Sequence, residues 1–248
     1  MKRKSTNQPQ GKPTKRLALP RALVASPFVP PRQVRVPAAR ALGEKKGIDT
    51  AISMAPIIST VNNNSGIFVL NLIQQGAGSW NRVGRKVNLR SLRIRGDILH
   101  TQTTTSGITN GQVVRCVIVW DKQPSSGTIP QWQDMFGFTA QDGTEGTSMY
   151  APIRYDNMDR FSILRDVTYD PQPGAKAQTA PDVVTYYNTI DEYIRLGDRE
   201  CVFSGQSNPM TIADISSGAI YFCVRTKNST STISSINNMY ARLRYTDL

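Results

Sequence analysis

The sequence predicts an all-β protein, a single antiparallel jelly roll of about eight strands preceded by a flexible basic arm. Three observations carry that expectation. From residue 61 onward, short β-branched and aromatic runs alternate with clusters of Gly, Asn, Ser, Thr and Pro, the texture of a sandwich or barrel. Seven or eight such runs spread over ~190 residues leave long loops, whereas an immunoglobulin-like sandwich needs only about 100 residues. The charge is also lopsided. Residues 1–50 hold twelve Lys or Arg against Glu44 and Asp49, while the other 198 hold eighteen basic and sixteen acidic residues.

The arm, residues 1–50, comes first. It carries seven of the fifteen prolines and a single aromatic, Phe28. Proline denies it a helix, and so little apolar surface cannot offset the entropy of ordering it. Its positive charge suits phosphate neutralisation, with a solubilising tail as the plainer alternative. Within KRKSTNQPQGKPTKR, Lys2, Arg3 and Lys4 stand ten residues from Lys15 and Arg16, the spacing of a bipartite nuclear-localisation signal. ALVASPFVPP (22–31) is too short and too Pro-rich for a signal-peptide core, and no apolar run reaches the ~18 residues of a membrane span.

The β domain is assigned to residues 51–248. Strands are expected near 66–73, 86–100, 112–120, 158–170, 192–204, 218–227 and 237–247, with an eighth near SMYAPIR (148–154). PQWQDMF (130–136) is the one plausible short helix, with Pro130 at its start. Cys116, Cys201 and Cys223 lie in apolar runs with no metal-ligand spacing, which suggests buried free thiols in a reducing compartment.

The segment RVGRKVNLRSLRIRG (82–96) is unusual for a strand, with six Lys or Arg in fifteen residues and no acid. Val87 and Leu89 share one parity, Leu92 and Ile94 the other. Side chains alternate strictly along a strand, so an extra residue, a bulge or bend at Arg90-Ser91, is expected to bring all four aliphatics to one face. Arg93 and Arg95 then line the opposite face, where they either meet a polyanion or pair with acids on neighbouring strands such as those in RDVTYD and RLGDRE.

Catalysis finds no support. His100 is the only histidine, and no nucleophile-elbow, zinc-protease, P-loop or dinucleotide motif is present. GAGSWNRVGRK (76–86) has three glycines ahead of Arg85-Lys86, but it lacks P-loop spacing and precedes a strand. Neither a cofactor nor a metal is expected.

The basic Pro-rich arm, the GxWNRVGRKVxLRSLxIRG segment (78–96), RCVIVWDKQPSSGTIPQWQDMF (115–136) and the terminal MYARLRYTDL together resemble the capsid proteins of small circular Rep-encoding single-stranded DNA viruses, the geminivirus- and circovirus-like group. The resemblance implies a viral jelly roll that self-assembles, in about sixty copies, around single-stranded DNA. It further implies virion and host nucleus as locations, the host import machinery and a host receptor as partners, and no membrane insertion. Candidate nucleic-acid contacts are Lys2, Arg3, Lys4, Lys12, Lys15, Arg16, Arg21, Arg32, Arg35, Arg40, Lys45 and Lys46 in the arm, then Arg82, Arg85, Lys86, Arg90, Arg93 and Arg95. Trp80 is a candidate base-stacking platform or, equally, an anchor between subunits. Two rivals keep the same texture: the capsid of a small RNA virus or satellite, and a cellular nucleic-acid-binding β-barrel.

Overall fold

The computed structural model describes residues 44–57, 59, 63–103, 113–124, 127–170, 177–180, 183–227 and 232–247. Two sheets face each other. One runs β1 (Lys45–Met54), β12 (Thr232–Asp247), β3 (Lys86–Thr103), β9 (Val183–Phe203), with short β8 (Ala177–Ala180) and β10 (Ile215–Ser217) also paired to β9. The other runs β2 (Ile67–Val69), β11 (Ala219–Thr226), β4 (Val114–Asp121), β7 (Phe161–Tyr169). Every pairing between these strands is antiparallel. Followed along the chain, the principal strands cross from sheet to sheet at each step except β4 to β7. That is the jelly-roll connection.

Alternation explains which residues fill the space between the sheets. In β3, Val87, Leu89, Leu92, Ile94 and Ile98 are all buried, and Arg93 and Arg95 are exposed. The parity switch is absorbed as expected: the register of β3 slips between Leu89 and Ser91 against both neighbours, leaving Arg90 unpaired. A second bulge, in β12 at Asn238-Met239, presses on β3 at Gly96. From the facing sheet come Cys116 and Ile118 of β4 and Phe222 of β11, which meet Ile94 and Ile190. Cys116, Cys201 and Cys223 are free and buried, and burial pushes the latter two up to about 12.

β4 and β11 are buried along their whole length because their outer face is also covered. The cover is formed by residues 127–160, which carry helix α1 (Trp132–Met135) and a small hairpin, β5 (Phe138–Thr139) with β6 (Glu145–Gly146). At the hairpin tip Ala140 N–H donates to Thr144 O at 2.9 Å, and a side chain added at Gly143 (φ +81°) would meet nothing within 4 Å. Two arginines rivet the segment to the sheet. Arg115 grips Asp166 at 2.6 and 3.0 Å and donates to the carbonyls of Met149 and Ala151. Arg225 lies over the Trp132 ring at 5.1 Å and donates to Asn63 O, with its pKa pulled down to about 10 by burial.

Three expectations need correction. The boundary at residue 50 falls inside β1, which begins at Lys45 and pairs with β12 from Thr246 to Ile236. SMYAPIR is not a strand; it supplies a turn and one isolated bridge, Ile153 to Phe136, within the covering segment. β9 begins at Val183, nine residues earlier than expected.

Candidate nucleic-acid interface

The outward face of the β1–β12–β3–β9 sheet is open. Register lines its side chains into rows. Asp49, Arg242, Arg93 and Tyr193 sit opposite one another across the four strands, and the next row holds Tyr240, Arg95 and Asp191. These residues, apart from Asp191, line an open groove of about 640 Å³ together with Arg244. Tyr193 and Tyr240 are 60% and 55% exposed, so their ring faces are available.

Two acids order the arginines without cancelling them. Arg93 holds Asp191 through two bonds of 2.9 and 3.0 Å, and Arg95 approaches the same carboxylate at 3.4 Å. Arg242 holds Asp49 at 2.6 and 2.7 Å. The guanidiniums keep both carboxylates below their usual pKa range, so the acids remain ionised. Arg244 has no ion pair among the described residues. Four guanidiniums thus face two carboxylates, and two phenol rings stand among them. Chemically, such a groove neutralises phosphates and stacks bases without reading sequence.

The other expected contacts divide. Lys2, Arg3, Lys4, Lys12, Lys15, Arg16, Arg21, Arg32, Arg35 and Arg40 lie outside the described residues. Lys45 is exposed at the start of β1. Lys46 is not available to a polyanion: it is buried between Glu44 at 3.1 Å and Asp247 at 3.3 Å. Burial alone would lower its pKa, and those two acids more than reverse that. Arg82 is also withdrawn, 1% exposed, donating to the carbonyls of Ile73, Gly84 and Gly205 and stacked 4.3 Å from the Phe203 ring. Lys86 pairs with Glu200 at 3.0 Å, Arg90 with Asp198, and Arg85 donates to Phe203 O. Trp80 is 61% exposed but stands on the loop before β3, away from the residues of the groove. Sequence reasoning passed over Arg242, Arg244, Tyr193 and Tyr240 as contacts. The alternation in MYARLRY was the signal for three of them.

Residues 54–247 match the family described as geminivirus coat protein/nuclear export factor BR1. The chain belongs to that family. It is therefore a viral protein of the coat-protein type and not an enzyme. No curated protein matches it. Among solved structures it is similar to infectious bursal disease virus Gt strain, at 12% identity and a TM-score of 0.20, covering 84% of this chain and 38% of that one. The unassembled KI polyomavirus VP1 pentamer is similar at 10% identity and a TM-score of 0.21, covering 82% and 94%. Among the described residues no His, Cys, Asp and Glu cluster suits a metal ion, and no helix is long and apolar enough to cross a membrane.

Proposed function

We propose that this coat protein closes a shell of about sixty copies around single-stranded DNA, with the basic arm and the arginine–tyrosine groove as its genome contacts. The groove is the observation that carries the reading: Arg93, Arg95, Arg242 and Arg244 converge with Tyr193 and Tyr240 on one open sheet face. The two basic clusters at 2–4 and 15–16 direct import into the host nucleus, and a host receptor engages the outside of the particle.

Two double variants test the groove, R93Q/R95Q and R242Q/R244Q. The log–log salt dependence of single-stranded DNA binding should flatten by roughly 0.7 for each phosphate that is no longer neutralised. Melting temperature should hardly move, because the pairs broken are exposed and such pairs contribute little. An unchanged slope with a large fall in melting temperature would assign these arginines to the shell alone. The family description also names a nuclear export factor, which favours a second reading, a carrier of single-stranded DNA that builds no shell. Sedimentation decides between them: a megadalton particle that protects DNA from nuclease supports the coat reading, and a small complex supports the carrier.

A further inference from the structure

Among the described residues, two of the exposed apolar features outside the groove stand on loops fixed by hydrogen bonds. On the loop before β3, Trp80 and Val83 are each 61% exposed. The loop beneath them is rigid. Arg82 ties it to three carbonyls, Asp247 accepts the amide of Val83, and the Trp80 ring lies against Gly78, where a side chain would meet it at 3.1 Å. An exposed indole already held in place has little ordering entropy left to lose on docking, which marks an interface anchor. The second feature is the turn before β7. Tyr155 there is 90% exposed and Met158 54%. That turn is also fixed, by the bond from Asn157 to Asp134 O at 2.7 Å and by the Arg160–Asp121 pair at its base.

Their charges are opposite. Exposed Arg85 flanks Val83, while exposed Asp156 stands between Tyr155 and Met158 with no ion pair among the described residues. Neither patch suits itself across a two-fold axis, since arginine would meet arginine or aspartate meet aspartate. Each suits the other, and a contact between two different patches is the kind that closes rings of identical subunits. We infer that the Tyr155–Met158 turn of one subunit docks on the Trp80 loop of a neighbouring copy. The inference rests on the coat reading above.

Charge reversal tests it. Asp156→Arg and Arg85→Asp should each lower particle yield by roughly tenfold or more at moderate salt, and one chain carrying both should recover to within about twofold of the wild type. A single reversal that assembles normally overturns the contact, as does a combined chain that is folded yet fails to assemble. If a reversal unfolds the subunit, W80S and Y155S take its place, because both side chains are mostly exposed. Each must lower the yield of particles from folded protein, and normal yield overturns the proposal. The wild-type chain run alongside keeps the two ideas apart: if it forms no particle with single-stranded DNA, the coat reading itself has failed.

Discussion

Arg82 and Arg93 occupy the same basic stretch and do opposite things. Arg82 is sunk among carbonyls and the Phe203 ring, whereas Arg93 faces solvent with Asp191. Nothing in the letters around 82 and 93 foretells the difference, because the carbonyl of Gly205 that completes the Arg82 site arrives from far along the chain. Charge was legible; depth was not. His100 shows depth at work. It is fully buried, its Nδ1 lies 2.8 Å from Ser234 Oγ, and burial lowers its pKa from 6.5 to about 4. The unfolded chain therefore takes up this proton more readily than the folded one. Stability from this residue is full above pH 6.5 and is lost as pH falls towards about 4. The melting temperature should drop across that window and should do so less steeply in His100→Gln, which has no proton to gain. Equal pH dependence in wild type and variant would count against this account.

At the scale of elements, β3 was readable because its aliphatics obey period two on either side of one extra residue, and only a bulge reconciles them. β1 was not. Its inward parity begins with Lys46, whose burial depends on Asp247, 201 residues away, so the strand shows no clean apolar face. The first half of β9 hid for a similar reason, with Thr185 and Asn188 at buried positions. The bulge in β12 makes a sharper demand. A side chain at Gly96 would come within 2.5 Å of Met239 Cα and 2.6 Å of its Cβ, and that neighbour is held in the β12–β3 ladder. Gly96→Ala should therefore destabilise the subunit by about 2 kcal/mol, read by urea unfolding, with the slope of the transition unchanged. Gly143→Ala, with open space around it, offers a contrast limited to the strain of its positive φ.

The β domain has two unlike faces. The groove on one sheet presents four arginines and two tyrosines; strands β4 and β11 of the other lie beneath a segment whose exposed charges include Asp134, Asp142, Glu145, Asp156 and Asp159. Each residue could be read from the sequence, but their grouping could not, since Arg93 meets Arg242 only through the β3–β12 register. The fold class was legible because it is a matter of periodicity. β1 begins at Lys45, so removing residues 2–40 discards ten Lys or Arg and no acid and leaves that strand whole. That truncated chain should melt like the full one but fail to protect single-stranded DNA from nuclease at physiological salt. Normal protection would shift the whole burden of packaging to the β domain.

The small hairpin of the covering segment makes a convenient graft site. Its ends, Ala140 and Thr144, are already clasped by a backbone hydrogen bond, and a side chain added at Gly143 would meet nothing within 4 Å. Lengthening such a loop costs little, because closure entropy grows only with the logarithm of length. A foreign epitope of about ten residues placed after Asp142 should leave the subunit folded, with its melting temperature nearly unchanged, and be bound by its antibody without denaturation. The same insert at Gly78 would dislodge the indole that rests there. Between them, the two sites mark where this coat can carry a passenger and where it cannot.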